Sequence, residues 1–176
     1  MAVIASFVIG SNGASSLNGE SRGLSTPADR ERFLARHHSA AAFIIGKKSA
    51  ALENYGKTSV PIFVYSRSSE VLHFPHPLMQ QITVDRNLKE ITQLIDLRIA
   101  GEIVVEAGYG LLLPMMQEGV IDILELSISP IAGDGNYVDV ERLLSFFDVT
   151  SDISIDGTRL LECRYQSNTG NSENNS

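Results

Sequence analysis

Three short segments carry the residue types that could hold or transform a ligand. Ile44-Ile45-Gly46-Lys47-Lys48-Ser49 passes from an apolar stretch through glycine into two lysines and a hydroxyl. Glycine admits a ligand close to the backbone, a helix start offers N–H groups to an anion, and the lysines add charge. The plain alternative is a strand-to-helix turn with two solvated lysines. Phe63-Val64-Tyr65-Ser66-Arg67-Ser68 ends an apolar run in a guanidinium flanked by hydroxyls. That set suits a phosphate monoester, which Arg binds bidentately while Ser adds a shorter bond. A polar loop is the alternative there. Val104-Val105-Glu106-Ala107-Gly108-Tyr109-Gly110 puts small residues between an apolar run and a helical pattern, so a diphosphate could approach the backbone. It is not a G-x-G-x-x-G fingerprint, and a compact turn would read the same way.

The three segments are informative together. Each follows a predicted strand, so they could converge on one extended ligand, and a dinucleotide carrying an extra phosphate would use all three. The charge supports this. The 176 residues include 14 basic and 21 acidic side chains, a formal charge of −7, which disfavours a nucleic-acid partner. Lys47, Lys48 and Arg67 are then a large share of a scarce resource, all at strand ends.

Other candidates carry less. His37 and His38 lie near a predicted helix end, where cations suit the dipole. His73 and His76 have no acidic or cysteine neighbour to complete a metal site, so no metal is expected. Cys163, alone in the sequence, excludes an internal disulfide and reads as a buried, inert thiol. No G-x-S-x-G elbow, Walker loop or H-E-x-x-H motif occurs. No apolar run reaches the 18–20 or so residues of a membrane span, and the N-terminus lacks the basic flank of a signal peptide. A soluble protein of a reducing cytoplasm, with no membrane partner, is expected.

The elements that must position these residues follow from periodicity. Valine- and isoleucine-rich runs predict strands at 2–9, 41–45, 60–65, 102–106 and 121–131, with shorter ones at 71–73 and 81–84. A Gly/Ser-rich loop of 10–24 is too long to be a simple connection and is expected to be functional or disordered. Thr26-Pro27-Ala28-Asp29 predicts a helix start with a capping box, the helix running to about His38. Phe33 and Leu34 should form its core face, with Arg30, Arg32 and Arg36 on its polar side. Further helices are predicted at 47–54, 87–100, 109–118 and 139–147. Strands at 149–155 and 158–166 flank Asp156-Gly157, a hairpin signal. Strand–helix alternation closed by a hairpin describes one α/β domain over 1–166, with a mainly parallel sheet and a C-terminal antiparallel hairpin. Residues 167–176 lack aliphatic and aromatic side chains and are expected to be a disordered polar tail.

Beyond these patterns, the chain resembles a family. Gly10-Ser11-Asn12-Gly13, Asn18-Gly19-Glu20-Ser21 and Leu24-Ser25-Thr26-Pro27-Ala28-Asp29-Arg30 are similar to the opening of the pyrimidine reductases of riboflavin biosynthesis. The resemblance continues through Ala42-Phe43-Ile44-Ile45-Gly46, Tyr55-Gly56, Val105-Glu106-Ala107-Gly108, Glu118-Gly119-Val120-Ile121-Asp122 and Ser129-Pro130. It implies a dihydrofolate reductase-like fold, a three-layer α/β/α sandwich, and a homodimer. It implies NADPH as cofactor, held by Gly46, Lys47, Lys48 and Ser49 and by Ala107, Gly108, Tyr109 and Gly110. Ser66 and Arg67 match the Ser-Arg pair that reads the 2′-phosphate in dihydrofolate reductases. Asn12 is placed at the reaction, and Ser21, Ser25 and Arg30 toward the substrate, a phosphoribosylamino-pyrimidine.

The sequence also departs from the family. Asn12-Gly13 replaces Asp-Gly, and an amide hydrogen-bonds but does not take a proton. Glu106-Ala107-Gly108 replaces Glu-Gly-Gly, Lys-Ser replaces Gly-Thr after Gly46, and Asp122-Ile123-Leu124 replaces Asp-Glu-Leu. These changes leave two other readings: a related reductase acting on a pterin or other substrate, and a diverged nucleotide-binding member without catalysis.

Overall fold

A computed structural model describes residues 2–52, 55, 57–66, 70–74, 76–82, 88–96 and 100–166. The order is β1 (Val3–Ile9), β2 (Ala14–Ser16), a 3-10 turn (Arg22–Leu24), α1 (Pro27–Ser39), β3 (Ala40–Gly46), α2 (Lys47–Leu52), β4 (Ile62–Tyr65) and β5 (Met79–Ile82). There follow α3 (Leu88–Asp96), β6 (Glu102–Glu106), α4 (Tyr109–Gln117), β7 (Ile123–Ile128), β8 (Gly135–Tyr137), α5 (Val140–Leu144), β9 (Phe147–Ile155) and β10 (Thr158–Tyr165). An eight-stranded sheet has the order β5-β4-β3-β6-β1-β7-β10-β9. Its first six strands are parallel, and β10 and β9 are antiparallel. The two crossovers that reverse direction across the sheet leave β1 central and its residues almost wholly buried.

Alternation along the strands divides two cores. Val3, Ala5 and Phe7 of β1, Ile103 and Val105 of β6, and Leu124 and Leu126 of β7 pack against Leu88, Ile95, Leu112, Met115, Met116 and Leu143 from α3, α4 and α5. On the opposite face Phe43 and Ile45 of β3, Ile62 and Val64 of β4 and Val104 of β6 meet Tyr55 and Ala50. The helix α1 lies on that second face, where the His37 ring stands 4.4 Å from the Phe43 ring. The result is the expected α/β/α sandwich. The Asp156-Gly157 turn has φ of 48° and 80°, the left-handed pair that a two-residue hairpin requires.

The face that α1 presents to the sheet is a correction. Leu34 is exposed, while Arg32 and Arg36 turn inward. The cause lies on β7, whose inward positions on this face are Glu125 and Ser127. Buried carboxylate and hydroxyl groups need partners, and the arginines supply them. Other boundaries also moved. Residues 71–73 are not a strand, because the Leu72 N–H is taken by the Gln81 side chain at 2.8 Å rather than by a neighbouring strand. The predicted run of 121–131 narrows to β7. The helix predicted at 139–147 narrows to α5, and Phe147 already begins β9. Residues 53, 54, 83, 84, 87, 97–99 and 167–176, on which helix ends, a strand end and the tail were expected, lie outside the described residues.

The long loop after β1 is ordered by cross-connections. Strand β2 pairs with β8, three residues too short and polar to show a strand period. Asn12 pins the loop: its Nδ2 donates to the Gly133 carbonyl at 2.9 Å, and its Oδ1 accepts from the N–H of Gly133 at 3.1 Å and of Ala14 at 3.3 Å. Gly10 permits this approach, since a Cβ there would lie 2.6 Å from the Ile131 carbonyl oxygen.

Two outcomes are expected. Asn12→Asp keeps the acceptor but loses the donor to Gly133, setting two oxygens face to face. It should cost about 1–3 kcal/mol in a denaturation experiment; wild-type stability would refute the pin. The Cys163 thiol is fully buried, and burial pushes its pKa up from 9.0 to about 11. Thiol reagents should label it only after unfolding. Because the folded value is raised, its contribution to stability is complete below pH 9 and fades as the pH approaches 11.

Candidate functional site

The sheet register brings the three predicted segments side by side. Gly46 pairs with Tyr65 on one flank, and Ile45 pairs with Glu106 on the other. The chain therefore leaves β4, β3 and β6 at neighbouring carboxyl ends, where open α/β sheets bind ligands. Around this edge, Gly46, Gly108 and Gly110 face open space: a Cβ on any of them would meet nothing within 4 Å. Gly108 caps α4 without a side-chain hydrogen bond, so the first N–H groups of that helix are presented by backbone alone. Ala107 is buried in the main core, so its extra methyl packs inward rather than toward this opening. Lys47 and Lys48 are exposed and Ser49 is half-buried, while Ser66 is buried at 3% exposure. Arg67 lies outside the described residues. Tyr109 is half-buried, and burial together with the charge of Asp139 raises the pKa of its phenol. An open backbone cradle with cations beside it fits an extended phosphorylated ligand.

A second group of polar side chains fills the seam between α1 and the sheet. The Asp29 carboxylate accepts hydrogen bonds from the Ser25 and Ser127 hydroxyls, the latter at 2.5 Å. Arg32 donates to Ser127 at 2.7 Å and to the Leu161 carbonyl at 3.0 Å. Arg36 bridges Glu125 at 2.5 Å and Glu102 at 2.7 Å. Burial lowers the Arg32 pKa, whereas the hydrogen bond that Arg36 donates to Glu125 raises that of Arg36. Thr26 accepts the Asp29 N–H at 3.3 Å and shares a 2.7 Å hydrogen bond with Thr158. Only half of the expected capping box therefore forms, because the Asp29 carboxylate turns to the sheet.

Where this seam meets the cradle, Glu106 ends β6. The Tyr55 hydroxyl donates to its Oε2 at 3.1 Å, and His37 Nε2 stands 3.7 Å from its Oε1. His37 lies in the last turn of α1, as expected, and its ring sits tilted between those of Phe33 and Phe43. Burial, and then the charges of His38 and Arg30, lower its pKa from 6.5, which favours the uncharged ring. The Glu106 carboxylate is thus hydrogen-bonded to the Tyr55 phenol, while the His37 imidazole stands just beyond hydrogen-bond reach of it.

The remaining expected residues are dispersed. Asn12 is engaged in its loop pin, and the second N–H of its amide is what it has to offer a ligand. Ser21 is exposed at the 3-10 turn, and Ser25 is committed to Asp29. Arg30 is exposed, its guanidinium 5.1 Å from the Phe33 ring centre. His76 Nδ1 accepts the Leu78 N–H, a loop-packing role as expected. Among the described residues no group of three His, Cys, Asp or Glu is placed to hold a metal. No helix among them is long and apolar enough to cross a membrane. The sequence reading missed Arg32, Arg36, His37, Glu106 and Ser127. Two signals were available: Asp29, Arg32 and Arg36 recur at helical spacing, and Glu125 and Ser127 interrupt an apolar strand at alternate positions.

No family model matches the chain, and no curated protein sequence matches it. Solved structures do. The diaminohydroxyphosphoribosylaminopyrimidine deaminase/5-amino-6-(5-phosphoribosylamino)uracil reductase of Thermotoga maritima superposes with a TM-score of 0.70 at 16% identity, over 94% of this chain and 56% of its own. A pyrimidine reductase-like protein of Corynebacterium diphtheriae gives 0.69 at 15% identity, over 95% and 92% of the two chains. Dihydrofolate reductase of Enterococcus faecalis, complexed with NADP(H), gives 0.67 at 10% identity, over 94% and 97%. The chain spans little more than half the length of the Thermotoga protein. Together with the strand order and the three layers, these superpositions show that the chain has the dihydrofolate reductase-like fold shared by the pyrimidine reductases.

Proposed function

We propose that the chain is an NADPH-dependent reductase acting on a phosphoribosylamino-pyrimidine, as 5-amino-6-(5-phosphoribosylamino)uracil reductase does. One observation carries this reading: three glycines open onto free space at adjacent strand ends, beside Lys47, Lys48, Ser49 and the buried Ser66. The backbone from Ala107 to Gly110, with the Tyr109 side chain, and the backbone from Gly46 to Ser49, with Lys48, would hold the diphosphate. Ser66, with Lys47 beside it through the pairing of Gly46 with Tyr65 and Arg67 by its place in the sequence, would hold the 2′-phosphate. When bound, the reduced nicotinamide supplies a hydride. The chain's own residues orient the partners. Asn12 holds the loop that follows β1 and would turn its remaining amide N–H toward the substrate. Ser21, Ser25 and Arg30 line the substrate side, Arg30 as the exposed cation for a substrate phosphate. Glu106, hydrogen-bonded by Tyr55, would exchange the proton that accompanies reduction.

A second reading, a pterin or other substrate, rests on the departures from the family pattern, Asn12 in place of aspartate and Ala107 in place of glycine. In either reading we place the protein in the cytoplasm, as a homodimer, with neither nucleic acid nor membrane as partner. Light scattering should return twice the chain mass.

Calorimetric titration with NADPH tests the cofactor, and saturation at 100 times the dissociation constant should add about 2.7 kcal/mol to stability. Absence of both heat and stabilisation would leave a diverged, non-catalytic member of the fold. Arg67→Ala should weaken NADPH at least about tenfold more than NADH, the loss of a charge-assisted hydrogen bond; equal losses would remove the 2′-phosphate role. Consumption of NADPH with a pterin, and not with the pyrimidine, would select the second substrate. The His37 imidazole should titrate below pH 6.5 by NMR. Since its folded pKa is lowered, its contribution to stability is complete above pH 6.5 and is lost as the pH falls through the lowered value.

A further inference from the structure

An acid stands at the rim of the cradle. Lys47 leaves the end of β3 and Ser66 the end of β4, adjacent through the pairing of Gly46 with Tyr65. Glu70 comes back to the same rim and sets its Oε2 3.6 Å from Lys47 Nζ. The backbone around Glu70 is fixed from β5, the neighbour of β4. Gln81 Nε2 donates to the Glu70 carbonyl at 2.8 Å, and Gln81 Oε1 accepts the Leu72 N–H at 2.8 Å. One side-chain amide thus clamps both sides of Val71, and the Glu70 carboxylate is tethered beside the first cation of the cradle. The Lys47 and Glu70 side chains are 52% and 72% exposed, so the pair is solvated and readily exchanged.

We propose that Glu70 competes with the cofactor's 2′-phosphate for Lys47, and so limits how strongly the site prefers a phosphorylated over an unphosphorylated dinucleotide. This rests on reading the strand ends as an NADPH cradle. In the free protein Lys47 is paired with Glu70. A phosphate carrying close to two negative charges draws Lys47 away more strongly than a carboxylate holds it. The exchange leaves Glu70 facing the new anion, and the like charges weaken binding. A ribose 2′-hydroxyl carries no charge, makes no such claim on Lys47 and meets no such repulsion. Glu70 therefore lowers affinity for the phosphorylated dinucleotide alone.

The test measures dissociation constants for NADPH and NADH by calorimetry on the full chain and on Glu70→Gln. The variant should bind NADPH about three- to tenfold more tightly, with NADH unchanged, and the gain should shrink as salt is added. In a Lys47→Gln background the same substitution should give a smaller gain in NADPH affinity, because the contested cation is gone and only the direct repulsion is relieved. Unaltered NADPH affinity in Glu70→Gln, equal tightening of both nucleotides, or an equal gain in the Lys47→Gln background would each overturn the competition while leaving the cofactor reading intact. A native chain that binds neither nucleotide removes the cofactor reading, and the competition with it.

Discussion

The position of α1 on the sheet is governed by one constraint: β7 buries a carboxylate and a hydroxyl where an apolar strand would bury two aliphatic side chains. Glu125 and Ser127 cannot stay unpaired in that interior without a cost of several kcal/mol. Arg36 answers the first and Arg32 the second, and Asp29 completes the set through Ser127. These contacts fix the rotation of α1 about its own axis more narrowly than apolar packing would, because hydrogen bonds are directional. That rotation is what turns His37 toward Glu106 and leaves Leu34 outside. A charged pair of this kind adds little stability over an apolar isostere, and its effect here is to specify one orientation.

The same rotation joins two regions that are separate in sequence. Asp29 and Ser25 stand at the head of α1, near the loop that Asn12 ties to Gly133. Glu106 stands at the end of β6, where the glycine-lined edge begins. The glycine-lined strand ends and the polar α1 seam thus share one sheet, with the parallel strands setting the spacing between them. The superposed structures share this architecture at identities of 10–16%.

Much of this was legible in the residues. The branched aliphatic runs predicted β1, β3, β4, β6 and β7, Thr26-Pro27 predicted the start of α1, and Asp156-Gly157 predicted the hairpin of β9 and β10. Gly46, Gly108 and Gly110 were placed at the cradle because glycine after a buried strand is a local signal. The misreadings were of a different kind. Leu34 and Arg32 were assigned faces by their hydrophobicity, although the face of a helix depends on what opposes it. Residues 71–73 look like strand by composition, yet the Gln81 side chain claims the Leu72 N–H. Strand β8 was invisible because three residues show no period.

The sequence by itself determined the alternation of strands and helices, the α/β class, the hairpin and the strand-end positions of Lys47, Ser49, Ser66 and Gly108. Those properties are local, set by backbone preference and by periods of two and 3.6 residues. Only the tertiary structure decided that Asn12 is a loop pin, that Arg32 and Arg36 face inward, that Glu106 meets Tyr55 and His37, and that Glu70 reaches Lys47. Each of those contacts joins residues that different elements carry. Their partners follow from strand register and helix rotation, which are fixed when the whole chain buries its polar groups together.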